Sequence, residues 1–326
     1  MTFYKYHGAG NDFLIADGRK HAPELDAARI TALCDRHTGV GADGVMVLEN
    51  DPELDFRMRY YNSDGSGGMM CGNGGRCIVA FAADLGFGHF LFNASDGPHS
   101  AELVGCAERE AFSAVPRVVR LKMRDVAGAV PYLSESRSSG NVCASESCPC
   151  EGPVCDWFLD TGTRHLVRFV DDVEGYDVTG VGRKLRHDPR FAPVGVNVNF
   201  VQVNASASDG GKSISVRTFE KGVEDETLAC GTGIVASSLA TWIAGRVGLA
   251  GAGKGICGGV CGVPGSPCRV DVHARIADLS VTFTPELPED SALPDMSSAQ
   301  PAHSIPFRAT DIWLEGPAAY ICRIEI

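Results

Sequence analysis

Two cysteines, Cys71 and Cys230, each open the same four-residue phrase: Cys71-Gly72-Asn73-Gly74 and Cys230-Gly231-Thr232-Gly233. Inverting a stereocentre by proton transfer needs two acid/base groups, one on each face of a flattened carbanion. A single base returns the proton to the face it left. A duplicated thiol phrase, one copy in each half of the chain, supplies such a pair. The thiolate is the reactive form of cysteine, and a helix N-terminus lowers a thiol's pKa through its unpaired N–H groups and macrodipole. The glycines behind each cysteine let backbone N–H groups approach an anion closely, which suits a substrate carboxylate. Two such ends on one carboxylate would also stabilise the charge that develops as the α-proton leaves. The plainer reading, a small buried hydrophobe, fits Cys34 and Cys77 better than two cysteines in glycine turns. Neither Cys71 nor Cys230 belongs to a CxxC pair, which disfavours a disulfide or a zinc site.

The elements around each phrase repeat. Residues 1–16 read as strand, Gly-rich turn (Gly8 to Asp12) and strand, and Leu25 to His37 has near-helical apolar spacing. A second glycine turn, Gly39 to Gly44, leads into the strand Val45–Leu48, and Asp55 to Tyr61 alternates as a half-buried strand does. The turn Asn62 to Ser66 follows, then Cys71 and a mostly apolar helix from Gly72 to Leu85. In the second half, Asn197 to Val203 and Ile214 to Phe219 are β-rich. The polar turn Glu220 to Glu226, Cys230 and a helix from about Gly231 to Gly245 come next. Strand, polar turn, Cys-Gly-x-Gly, helix: this unit occurs twice, predicting two domains related by a pseudo-twofold axis.

The chain has 326 residues, enough for two ordinary domains, with 44% hydrophobic and 21% charged residues. A net charge of −12 argues against a nucleic-acid partner. No apolar run reaches the roughly 18 residues of a membrane span. Met1 to Tyr6 reads as strand alternation rather than a signal-peptide core, so the 13 cysteines predict reduced thiols and a cytoplasmic protein. Ser134–Pro153, Val247–Pro267 and Glu286–Pro306 look like inserted, exposed loops. Cys143, Cys148, Cys150 and Cys155 would make a small metal or redox-sensing cluster the best non-enzymatic reading, but their spacing is irregular, and no metal is expected. The run Gly39-Val40-Gly41-Ala42-Asp43-Gly44 fits G-x-G-x-x-G, yet it stands between a helix and a strand, the reverse of a dinucleotide site. Nothing suggests a Schiff-base lysine in a phosphate-binding fold.

Four motifs taken in order, His7 to Phe13, Asn62 to Ser66, Met70 to Gly74 and Cys230 to Gly233, resemble the diaminopimelate epimerase family over nearly the whole chain. The resemblance implies an α/β fold of the α+β type with two pseudo-symmetric domains, each a mixed or antiparallel sheet wrapped around a central helix. The expected domains are 1–117 with a returning strand 318–326, and 118–317, with the active site in the cleft between them. It implies a cofactor-independent isomerase, a homodimer, that interconverts LL- and meso-2,6-diaminopimelate in lysine and peptidoglycan biosynthesis. Carried over residue by residue, Cys71 and Cys230 are the thiol/thiolate pair. Gly72, Asn73, Gly231 and Thr232 supply backbone N–H groups to the carboxylate. Asn11, Asn62 and Asn197 bind substrate, Glu220 contacts a substrate amine, and Glu220 and His165 set the thiol pKa values. Thr163 replaces an amide ligand by a hydroxyl, and Lys221 replaces an arginine fork by a point charge. Gly44 stands where some members have a glutamine contact, and Gly67 and Gly68 where an acid is common. These departures bear on the substrate's distal end. The alternative enzymes are a histidine racemase or a proline racemase or hydroxyproline epimerase, although the last two typically carry histidine where Asn73 stands.

Overall fold

The computed structural model describes residues 1–68, 70–105, 110–134, 154–204, 213–247, 264–286 and 304–326. The chain divides into two compact units. One comprises Met1–Lys122, Ile276–Asp278 and Trp313–Ile326; the other comprises Met123–Arg275 and Leu279–Ile312.

In the first unit, β1 (Thr2–Gly8) and β2 (Asn11–Asp17) form an antiparallel hairpin through Ala9 and Gly10, both at positive φ. Helix α1 (Ala27–Cys34) starts where Asp26 accepts a 2.7 Å bond from the Arg29 N–H, later than the apolar spacing alone suggests. It carries the chain to β3 (Gly44–Glu49), parallel to β2, and β4 (Phe56–Asn62) returns antiparallel. Helix α2 (Gly72–Asp84) crosses to β5 (Leu91–Ala94), parallel to β4, and the antiparallel strands β6 (Gly97–Val104) and β7 (Arg117–Lys122) follow. The later half of a long strand, β16 (Ile305–Glu325), pairs with β7 through Trp313–Ala318 and with β1 through Ala319–Glu325. The hydrogen-bonded path therefore returns to its start, and the sheet wraps around α2, twelve of whose thirteen residues are buried.

The second unit repeats the plan. Its strands are β8 (Val126–Ser134), β9 (Val154–Asp160), β10 (Arg164–Phe169), β11 (Asn197–Asn204), β12 (Ser213–Glu220), β13 (Asp225–Thr227), β14 (Cys268–His273) and β15 (Asp278–Glu286). Helix α3 (Val178–Arg186) joins the parallel pair β10–β11, and α4 (Gly231–Val247) joins the parallel pair β12–β14, as α1 and α2 do in the first unit. The early half of β16 pairs with β8 and closes this sheet too. Helix α4 is enclosed on every side: residues 233–245 are all buried, with Leu239, Trp242 and Ile243 fully so. Two of its hydroxyls bond back one turn, Ser238 to the Ile234 carbonyl and Thr241 to the Ser237 carbonyl.

The three stretches expected to be loops lie mostly outside the described residues, as do Cys143, Cys148 and Cys150. One end needs correction. Ile305 and Pro306 open β16 rather than close a loop, because Ile305, Phe307 and Ala309 alternate inward and are buried.

Candidate active site

In the first unit, Cys71 is the N-cap of α2. Its carbonyl accepts a 2.8 Å bond from Gly75 N–H, and its Sγ accepts from Gly74 N–H at 3.3 Å. The cysteine thus takes the capping role usual for serine or aspartate, and an orphan donor of the first turn stabilises negative charge on sulfur. Gly72 and Asn73 occupy the first two helical positions. Asn73 is buried, and its Oδ1 accepts from Arg76 Nη2 at 2.9 Å. Close by in sheet register, Gly44 pairs with Asn62. The Asn62 amide donates to Ser66 Oγ at 3.0 Å, and the Asn11 amide donates to Asp43. Arg36 holds Asp12 and Asp43, and Lys5 adds a 3.0 Å ion pair to Asp12. Asn11 therefore belongs to a fixed charged cluster at the β1–β2 turn. Cys34 and Cys77 are buried away from such donors. Burial pushes the Cys34 thiol up to about 11 and raises that of Cys77 further, so both stay protonated.

Gly44 and Gly68 share a cause. A Cβ on Gly44 would lie 2.6 Å from both the Tyr60 ring and the Tyr61 carbonyl, and one on Gly68 would overlap the Tyr60 ring. Tyr60 thus fills the space that a longer side chain at 44 would need. Its alternating strand position gave no sign of this. Nothing lies within 4 Å of a Cβ at Gly67, and the structure offers no reason for glycine there.

The second unit has the matching cap. The Cys230 carbonyl accepts from Ile234 N–H at 2.9 Å, so Cys230 stands before α4 as Cys71 stands before α2. Sheet register assembles the rest. His165 on β10 pairs with Asn197 on β11, and Val198 pairs with Phe219, placing Glu220 beside that row. Asn197 is buried, and its Oδ1 accepts from Lys221 N–H at 2.8 Å. Lys221 contributes its backbone there, while its side chain is exposed. Burial raises the pKa of Glu220 against the opposing hydrogen bond from the Thr227 hydroxyl, 3.0 Å away.

His165, fully buried, anchors a hydrogen-bonded chain that ends at the thiol. Asn199 Nδ2 lies 3.3 Å from the Leu166 carbonyl, which can only accept, so the amide orientation is fixed. The same Nδ2 is 3.1 Å from His165 Nδ1, which must therefore be the unprotonated nitrogen, and Thr218 donates to Asn199 Oδ1 at 3.0 Å. The imidazole hydrogen then sits on Nε2, 2.9 Å from Thr163 Oγ1 and 3.0 Å from Thr232 Oγ1. Thr163 donates to Thr232 at 3.0 Å, which leaves the Thr232 hydroxyl hydrogen for Cys230 Sγ, 3.5 Å away. Asn199 and Thr218 were invisible to sequence reasoning, since an amide and a hydroxyl on strands carry no motif. Thr163 binds within this chain, the second place where a departure from the family pattern has an internal partner.

Burial pushes His165 down to about 3. In the unfolded chain an imidazole protonates below about pH 6.5. Between those values the unfolded state binds more protons, so His165 lowers stability as pH falls from about 6.5. His165→Gln keeps a group that can accept from Asn199 and donate to Thr232, but removes the titration. From pH 6 to pH 4 the wild type should lose up to about 1.4 kcal/mol per pH unit more than this variant in urea unfolding. Equal slopes would show that the imidazole protonates inside the fold.

A family model described as diaminopimelate epimerase matches residues 3–105 and 157–250. The diaminopimelate epimerase of Flavobacterium psychrophilum is 39% identical over 249 residues, 76% of this chain and 83% of its own. That of Chlorobaculum tepidum is 39% identical over 244 residues, 74% of this chain and 83% of its own. Among solved structures, a phenazine biosynthesis protein of the PhzF family from Bacillus anthracis superposes with a TM-score of 0.57 at 13% identity, covering 100% of this chain and 98% of that one. A hydroxyproline epimerase from Agrobacterium vitis gives 0.54 at 13% identity, covering 99% and 91%. At that identity the two structures speak for the fold alone. The family model spans more than half of the chain and the sequence relatives are well above 30% identical: the chain belongs to the diaminopimelate epimerase family.

Proposed function

We propose that this protein is an isomerase that interconverts LL- and meso-2,6-diaminopimelate, with Cys71 and Cys230 as its two acid/base groups. The observation that carries the reading is the matched pair of thiol caps, each opening a buried helix with its carbonyl already in the helix ladder. One sulfur, as thiolate, takes the α-hydrogen as a proton. The C–H bond breaks, an S–H bond forms, and the electron pair passes into the carboxylate-conjugated carbanion. The other thiol gives its proton to the opposite face, leaving a thiolate there. No oxidant or cofactor is consumed, and the reverse direction exchanges the two roles. The backbone N–H groups of Gly72, Asn73, Gly231 and Thr232 meet the carboxylate, where negative charge grows in the transition state. Asn11, Asn62, Thr163, Asn197, Glu220 and Lys221 serve the remaining substrate groups, and His165 acts through Thr232 on Cys230. A homodimer in the cytoplasm, acting in lysine and peptidoglycan biosynthesis, accords with the family; no helix among the described residues is long and apolar enough to cross a membrane.

The test offers LL-diaminopimelate, proline, hydroxyproline and histidine in parallel in deuterated water. Deuterium should enter diaminopimelate at the inverted carbon and leave the other three unlabelled. Faster labelling of histidine or proline would replace the substrate assignment, and labelling of none would end the epimerase reading.

A further inference from the structure

A cysteine that is base in one direction of a reaction and acid in the other needs a neighbour suited to both forms. A thiolate takes a donor, and a thiol needs an acceptor. Thr232 Oγ1, 3.5 Å from Cys230 Sγ, is a hydroxyl and can act as either. Its choice is limited by the count of hydrogens around it. Thr232 Oγ1, Thr163 Oγ1 and His165 Nε2 form a triangle: the two hydroxyls are 3.0 Å apart, and Nε2 lies 3.0 Å from Thr232 and 2.9 Å from Thr163. His165 Nδ1 accepts from the Asn199 amide, whose orientation the Leu166 carbonyl fixes. Nε2 therefore carries the imidazole hydrogen and cannot accept. The two hydroxyl hydrogens must find acceptors elsewhere, and there is one arrangement for each form of Cys230.

With Cys230 as thiolate, Thr163 donates to Thr232 and Thr232 donates to the sulfur. With Cys230 as thiol, the S–H donates to Thr232 Oγ1, whose own hydrogen turns to Thr163, and the Thr163 hydrogen leaves the triangle. Nε2–H donates in both arrangements. We propose that Thr163 is a positioning residue whose hydroxyl turns in concert with that of Thr232, giving Cys230 a donor as thiolate and an acceptor as thiol. No proton passes between these groups. Two O–H bonds rotate, and the proton gained or lost at sulfur is the one exchanged with substrate. The proposal rests on the two-thiol reading above and gives Thr163 a role separate from any substrate contact. Asn199 is what makes Thr163 necessary, because an imidazole with its hydrogen on Nδ1 would itself accept from Thr232.

The consequence is a difference of sign. Without the Thr163 hydroxyl the thiolate loses little, since Nε2–H donates to Thr232 and Thr232 still donates to sulfur. The thiol loses more, because the Thr232 hydrogen no longer has an acceptor in the triangle. Without the Thr232 hydroxyl it is the thiolate that loses its donor. The ionisable groups on the strands packed against α4 are common to all these proteins, as is every other partner of Cys230. On β9 and β10, Asp156 pairs with Arg168, Asp160 accepts from the Gly162 N–H and Arg164 donates to the Phe191 carbonyl. On β12, Arg217 pairs with Glu226 and Glu220 accepts from Thr227; on β14, Arg269 pairs with Asp271 and His273 is exposed.

The experiment titrates the full chain without substrate, labelled with 13C at cysteine Cβ and 15N in histidine. The Cys230 and His165 signals are assigned by their loss in Cys230→Ser and His165→Gln. In the wild type the His165 hydrogen should sit on Nε2. Thr163→Val should lower the Cys230 midpoint by about half to one pH unit, and Thr163→Ser should return it to the wild-type value. Thr232→Val should raise it by about one to two pH units. A folded Thr163→Val protein with an unmoved or raised Cys230 midpoint, whatever its KM for diaminopimelate, would make Thr163 a substrate contact alone and overturn the proposal. Should Thr163→Val not fold, the wild-type ring decides: a hydrogen on Nε2 upholds the proposal and one on Nδ1 overturns it. Failure of the epimerase reading would appear instead as absent labelling in deuterated water, with the titration as expected.

Discussion

Cys71→Ala and Cys230→Ala should each abolish inversion, lowering epimerisation by about 10²–10⁴-fold as expected for loss of a positioned acid or base. They should not abolish the same exchange. A variant that keeps one thiol can still remove the α-proton from the isomer presented to it. Because the sulfur can then only return a proton to the face it left, solvent deuterium enters with retention. Cys71→Ala should therefore exchange one of LL- and meso-diaminopimelate, and Cys230→Ala the other, neither giving product. Mass spectrometry with chiral separation reads both quantities and identifies which sulfur serves which isomer. The effect is local, since each substitution leaves the backbone cap in place: the 71 and 230 carbonyls still accept from Gly75 and Ile234. Inversion at wild-type rate in either variant would remove that cysteine from the reaction.

The two helix starts were legible in the sequence because one short segment carries each. Cys-Gly-x-Gly specifies a cap, a close approach and a helix start within four residues, so both caps could be placed without knowing the fold. The strands β1 to β4 were readable for a similar reason: alternation and Gly/Asn turns are local signals. The partners were not. Asn199 looks like one more residue of a buried strand. It becomes the arbiter of the His165 tautomer because β10 and β11 run parallel in a register that sets His165 opposite Asn197, and because Thr218 on β12 faces it. Arg76 resembles any helical arginine until the closed sheet around α2 denies it water. Tyr60 explains Gly44 and Gly68 by volume, and volume has no sequence motif. In each case the missing information was a pairing between segments distant along the chain, fixed by sheet closure rather than by propensity.

The second glycine of each phrase provides the other large contrast, because the two positions look identical in sequence and are packed differently. A methyl added at Gly233 would overlap Asn199 Oδ1 and stand 3.3 Å from the Cys230 Cβ. Asn199 has nowhere to go: its amide is tied to His165 Nδ1, the Leu166 carbonyl and the Thr218 hydroxyl. Gly233→Ala should therefore cost about 1–3 kcal/mol for overpacking, and about 1–3 kcal/mol more if the displaced amide loses its bonds. A methyl at Gly74 meets Met46 and Met58 at an ordinary 3.6 Å and only the Cys71 sulfur closely, at 3.3 Å. Alanine also gains about 1 kcal/mol over glycine within a helix. Gly74→Ala should thus remain within about 1 kcal/mol of the wild type in urea unfolding while turnover falls, since the strain lands on the thiol. Gly233→Ala should lose both stability and turnover. Equal stability of the two variants would mean that Asn199 can yield, and with it the fixed imidazole on which the Cys230 arrangement depends.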